Sequence, residues 1–149
     1  MFGALKRALG AGAREVQADY SKNKDYLEAV CAAAALVAFA DGDLEDTERS
    51  KVIKLVTGHP VLGKMYQQNV IENTIDEMFK RAKDGAGRQQ LARELGDIKG
   101  RPEGAQMAED VYLIAADVAS ADGEVEPKEE EVLKKIANLL AVDPSKFVF

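Results

Sequence analysis

Two stretches of this chain carry carboxylates at matched spacing, and the chemistry they suggest is the binding of a hard cation. Val30 to Val56 reads VCAAAALVAFADGDLEDTERSKVIKLV, and Val111 to Ala137 reads VYLIAADVASADGEVEPKEEEVLKKIA. Asp41 and Asp122 are 81 positions apart, and so are Glu48 and Glu129. Each copy is an apolar helical run that ends in Ala-Asp-Gly and restarts as an acidic segment. Asp41, Asp43, Glu45, Glu48, Asp122, Glu124, Glu126 and Glu129 are all oxygen donors. Oxygen donors suit Ca²⁺, Mg²⁺ or Mn²⁺. His59 and Cys31 are the only residues of their types, so a structural zinc site of sulfur and nitrogen ligands is excluded. An EF-hand is excluded as well. Counting from Asp41 places Val52, and counting from Asp122 places Leu133, where the loop requires a bidentate glutamate. A site must therefore be assembled from two separate corners.

Helix capping accounts for part of the same pattern. With Pro127 at the first helical position, Glu126 is the N-cap and Glu129 stands at N3, the capping-box position. By position, Glu45 and Glu48 take the same roles in the first copy. Negative charge in a first turn also suits the helix dipole. Gly42 and Gly123 suit left-handed helix stops. Asp41 and Asp122 are not explained this way. They fall at helix C-termini, where a carboxylate meets the unfavourable end of the dipole. A backbone contact, a basic side chain or a metal must offset that charge.

The elements that position these residues are helical throughout. Ala, Leu, Glu, Lys, Gln and Arg dominate, and β-branched runs of period two are missing. Leu5, Leu9, Ala13, Val16 and Tyr20 form a first helical stripe, weakened by Gly10 and Gly12, and Lys22-Asn23-Lys24 reads as a corner. A helix follows from about Asp25 to Ala40, and a second from near Asp46 to Thr57-Gly58-His59-Pro60. Val61 to Lys83 carries another stripe, read either as one helix or as a short turn and one long helix. Gly85 and Gly87 mark a break before a helix over Arg88 to Ile98. The second repeat helix begins near Pro102 or Glu103 and runs to Ala121. The next begins at Pro127 and continues to about Ala141, and Asp143-Pro144 opens a last turn to Phe147. The fold class is all-α: a single-domain bundle of about seven to nine helices with an internal pseudo-twofold repeat. The domain spans 1–149, with repeat units over about 25–57 and 103–141.

Composition narrows the functional classes. The 149 residues are 46% hydrophobic and 31% charged, which is ordinary for one globular domain. A net charge of −6 argues against nucleic acid as a partner. A lone cysteine rules out an intrachain disulfide and fits a reducing compartment. No apolar run is long enough to cross a membrane, and the N-terminus lacks the pattern of a secretory signal, so a cytoplasmic location is expected. Cys31 reads as buried packing and His59 as a loop residue. Lys22, Lys24, Lys99 and Arg101 read as a solvated surface.

The segments YSKNKDYLEAVCAAAALVAFADGDLEDTE and AADVASADGEVEPKEEEVLKKIANLLAVDPSKF resemble the tellurite-resistance TerB family. The resemblance covers essentially the whole chain. Its most specific mark is the duplicated Asp-Gly followed by a helix-starting Glu. It implies an all-helical fold with two pseudo-twofold halves and a non-enzymatic role in resistance to tellurite and other chemical stress. It also implies a divalent cation bound through Asp41, Glu48, Asp122 and Glu129. The partners it implies are a TerC-like membrane protein and TerD-like calcium-binding proteins, with a peripheral place at the inner membrane face through such a partner and no direct insertion. TerB-like domains also occur in membrane-anchored co-chaperones. A metal-independent docking scaffold is thus the main alternative, and a di-metal carboxylate enzyme a more remote one.

Overall fold

The computed structural model describes residues 20–40, 42, 45–100, 104–120 and 123–147, and among them every regular element is helical. The stripe expected before Tyr20 lies outside these residues. Helix α1 (Tyr20–Ala38) is the centre of the molecule. Leu27, Val30, Cys31, Ala33, Ala34, Ala35 and Val37 are all fully buried. A helix that is apolar all round has no solvent face to offer and must be enclosed by others. The alanine run Ala32–Ala35 lets neighbouring backbones come close, because no long side chain stands between them.

Lys22-Asn23-Lys24 does not form the expected corner; it lies inside α1. Lysine is a good helix former and asparagine is only mildly unfavourable. Nothing in the segment breaks the ladder, and burial of Tyr26 and Leu27 just beyond it anchors the helix.

Four further α-helices precede the second copy: α2 (Asp46–Thr57), α3 (Leu62–Met65), α4 (Gln68–Ala82) and α5 (Gly85–Asp97). A 3₁₀ turn over Ile98–Gly100 leads on towards α6 (Gly104–Ala119), which is followed by α7 (Pro127–Leu140) and a closing 3₁₀ turn over Pro144–Phe147. The region from Val61 to Lys83 thus resolves into a short helix and a long one. The long one buries Ile71, Ile75, Met78, Phe79 and Ala82, a stripe at steps of four, three, one and three.

Helix α5 starts three residues earlier than Arg88. Gly85 and Gly87 belong to its first turn, where Asp84 Oδ1 accepts a hydrogen bond from the Gly87 N–H at 2.7 Å. Capping by aspartate offsets the low helix propensity of glycine. Gly87 is needed for another reason: a Cβ there would sit 1.8 Å from the Arg81 carbonyl oxygen. The α4–α5 hairpin closes on that missing side chain. An exposed Arg81–Glu94 ion pair joins the two helices outside.

The most extensive contact in the fold is between α1 and α6, the first helices of the two repeat copies. Helix α2 packs on α6, and α7 packs on α1, so the second helix of each copy crosses to the first helix of the other. The copies are not identical in their surroundings. Helix α7 also lies along its own α6, while α4 and α5 both cover α1. The final turn returns to α6, with Phe147 stacked on Tyr112 at 6.2 Å and Lys146 Nζ 3.1 Å from Glu109 Oε2.

Gly87→Ala is expected to destabilise the protein by about 2–3 kcal/mol, because the new methyl overlaps backbone that cannot move without opening the hairpin. Urea denaturation of the variant checks this, and a loss under 0.5 kcal/mol would mean the hairpin yields.

Candidate metal site at the duplicated elbows

The repeat extends to the backbone hydrogen bonds. At the end of α1 the Phe39 N–H donates to Ala35 O at 3.0 Å, and the Gly42 N–H donates to Phe39 O at 2.8 Å. At the end of α6 the Ser120 N–H donates to Ala116 O at 3.0 Å, and the Gly123 N–H donates to Ser120 O at 2.9 Å. Gly42 has φ +89° and Gly123 φ +95°, the left-handed region where a Cβ is penalised. A Cβ built on either would meet none of the described residues within 4 Å, so the requirement is conformational.

The restarts match too. Glu45 (φ −96°, ψ 158°) and Glu126 (φ −75°, ψ 155°) are the N-caps of α2 and α7. Their carbonyls accept from Arg49 N and Glu130 N at 3.2 and 2.9 Å. Glu48 and Glu129 both stand at N3, as the spacing implies. In the second copy, Glu129 Oε1 accepts the Glu126 N–H at 3.0 Å, the capping-box contact. That bond uses one oxygen of the carboxylate and leaves the other able to ligate.

Asp41, Asp43 and Asp122 lie outside the described residues. Among the described residues, no three His, Cys, Asp or Glu side chains are grouped so as to hold a metal. Glu48 and Glu129 are therefore brought into no complete ligand set by the described residues alone, and a cation at the elbows requires Asp41 and Asp122.

The two residues with nucleophilic or basic potential are used structurally. Cys31 is fully buried, and burial, with a smaller effect from Glu28, pushes its thiol well above the usual range. His59 is more than a loop residue. Its Nδ1 accepts from the N–H groups of Val61 and Leu62 at 3.1 and 3.2 Å, capping α3. The spacing of His59 three residues before Leu62 was the available signal, but histidine is not among the usual N-cap residues.

A polar contact that no motif announced lies where α1 meets α6. The Tyr26 hydroxyl, almost fully buried, donates to Asp110 Oδ2 at 3.4 Å. Burial raises the Asp110 pKa above the ordinary aspartate value, opposed by the Tyr26 hydrogen bond and by nearby His59. Burial, followed by the Asp110 charge, holds the Tyr26 hydroxyl protonated well beyond its usual range.

The geometry therefore defines an all-α protein built on two crossing helix–elbow–helix units with acidic restarts. A family model described as tellurite resistance protein TerB matches residues 27–149. The chain belongs to the TerB family, and the match spans both elbows and the closing turn. Neither a curated protein nor a solved structure matches the chain. No described helix is long and apolar enough to cross a membrane.

Two outcomes follow from these contacts. Gly42→Ala and Gly123→Ala are each expected to destabilise by about 1–2 kcal/mol, the cost of a left-handed L-residue. Equal losses in thermal melts would show that the two elbows are energetically as alike as their backbones. Asp110 carries a raised native pKa, so its native form holds a proton that the unfolded chain has already released. Stability then declines as pH rises from about 3.9 through the raised value, and the loss is complete above it. Asp110→Asn keeps an acceptor for Tyr26 and removes the titration, so its urea midpoint should lack that decline. A decline of the same size in the variant would place its origin elsewhere.

Proposed function

We propose that this protein is a non-enzymatic member of a stress-response system that binds one divalent cation through Asp41, Glu48, Asp122 and Glu129, and works by docking to other proteins. The observation that carries this reading is the duplication of elbow geometry, down to the same three backbone hydrogen bonds and the same positive φ at each glycine. A fold that repeats a left-handed glycine turn after an aspartate in both copies has a use for that aspartate beyond ending a helix. The donors are all carboxylate oxygens, so a hard cation is the fitting ligand and Ca²⁺, Mg²⁺ and Mn²⁺ are the candidates. A metal-free site of this kind holds like charges together, and an ion relieves that repulsion and stabilises the folded state by linkage. Family membership supports a role in resistance to tellurite or related chemical stress. The non-enzymatic reading is supported by the burial of Cys31 and by the commitment of His59 Nδ1 to two backbone donors.

One observation favours a second reading, the metal-independent docking scaffold. Glu129 is already engaged in a capping box, and capping alone is a sufficient role for it.

Calorimetry separates the two. At a hundredfold excess over Kd, a single bound cation adds about 2.7 kcal/mol. For a domain of this size that raises Tm by roughly 5–10 °C. The metal reading expects such a rise with at least one of the three cations and its loss in Asp122→Ala. Under the scaffold reading, chelator and all three cations leave the melt unchanged, and Glu129→Gln costs only about 1 kcal/mol of capping.

A further inference from the structure

A groove of about 780 Å³ lies between α5 and α7, closed at one end by the last turn of α1. Its floor is apolar: Leu36 from α1 and Phe39 just beyond it, Ala92 from α5, and Val132, Ile136 and Leu139 from α7. Helix α7 already spends Leu133, Ile136, Ala137 and Leu140 on the core. Val132, Ile136 and Leu139 form a second stripe at steps of four and three, rotated towards the groove. Val132 and Leu139 remain part-exposed, as do Leu36 and Phe39. A helix with only the core to cover would carry polar residues at these positions. Among the described residues, the charged ones that line the groove are Arg88, Lys99 and Lys135, and no carboxylate joins them. This is a cationic rim on a chain of net charge −6. Arg88 is fixed in place, with its guanidinium 4.7 Å above the Phe39 ring and Nη1 donating to Ala82 O at 2.8 Å.

We propose that this groove docks an amphipathic helix of a partner protein whose apolar ridge is flanked by acidic residues. Two helices lying side by side with an apolar trough between them accept a third helix along the trough, read by anchors at i, i+3, i+4 and i+7. The rim selects the sign of the flanks, since like charges across such a contact are penalised and opposite charges speed encounter. The chain's own residues 1–19 are a poor occupant, because Lys6, Arg7 and Arg14 outweigh Glu15 and Asp19. The groove lies beside the first elbow, and its described lining includes neither Glu48 nor Glu129, so binding is measured without metal.

The test uses a fluorescein-labelled peptide of about 16 residues, long enough at 1.5 Å per residue to run the length of α5. Leucines occupy the anchor positions and glutamates flank them; a second peptide carries lysines in place of the glutamates. Anisotropy is measured in EDTA. The glutamate peptide should bind at least tenfold more tightly than the lysine peptide, and weaken as salt is raised. The double variant Lys99→Glu/Lys135→Glu should lose at least tenfold in affinity at unchanged Tm, and Leu139→Gln, which alters the floor and not the rim, should weaken binding as well. The proposal is overturned by equal affinity for the two peptides, by wild-type affinity in the double variant, or by no binding of the glutamate peptide at millimolar protein. It is also overturned if light scattering shows a dimer that the double variant dissociates, which assigns the groove to a second copy. Capture by phosphatidylglycerol vesicles in place of the peptide assigns it to a lipid surface and overturns it equally.

Discussion

The enclosure of α1 is the constraint on which the rest of this structure depends. From Ala29 to Ala35 the helix carries Val, Cys and a run of alanines buried on every side, so this stretch folds only when surrounded. Helices α4, α5, α6 and α7 all lie against it. Because its side chains are short, the surrounding backbones approach closely, and missing side chains elsewhere complete the fit. Gly87 is the clearest case, since α5 can meet α4 only if that position carries no Cβ. The polar residues are then distributed by what remains. Tyr26 is pulled nearly out of water on α1 and finds its acceptor on α6 in Asp110, whose carboxyl is shifted upward by the same burial.

Both helix–elbow–helix units obey this constraint by exchanging partners. Each second helix leaves its elbow and packs on the first helix of the opposite copy, which places both acidic restarts at the periphery of a shared apolar centre. Duplication thus serves two ends. It builds a central pair from one kind of helix, and it ends each of them in an elbow with the same backbone hydrogen bonds. In the second copy Glu129 contributes to folding through the capping box, with one carboxylate oxygen on the Glu126 N–H.

Much of the fold was legible because particular residues act locally. Pro127 sets the start of α7, since proline suits a first helical position and fits poorly later, and the helix begins there. Asp46 and Thr57 bound α2 as read, between an acidic first turn and Gly58. Asp143 caps the final turn as its pairing with Pro144 suggests, accepting from Ser145 N at 3.0 Å and Ser145 Oγ at 2.8 Å. The errors have a common source in tertiary packing. Lys22-Asn23-Lys24 looks like a corner to a local reading, yet burial further along α1 carries the helix through it. Gly85 and Gly87 look like a break, yet both lie in the first turn of α5, and Gly87 marks a close approach between helices that no local rule encodes. Asp110 was opaque for the same reason, since its partner Tyr26 is brought near by the fold, whereas His59 makes a local cap that its residue type does not announce. Of the candidate site, the N3 positions and glycine stops were readable from spacing. The ligating role of Asp41 and Asp122 rests on the family resemblance and on the repeat itself.

The open space around Gly42 and Gly123 carries a consequence of its own. Among the described residues nothing stands within 4 Å of where a Cβ would be, so none of them demands smallness at either position. What each demands is handedness, because φ near +90° is the mirror image of a comfortable angle for an L-residue. A D-alanine introduced by chemical synthesis would satisfy both elbows without crowding, and would rigidify them by removing the freedom glycine retains in the unfolded chain. These turns are thus specified by chirality alone, and a mirror-image building block would serve them better than the residue the ribosome has to offer.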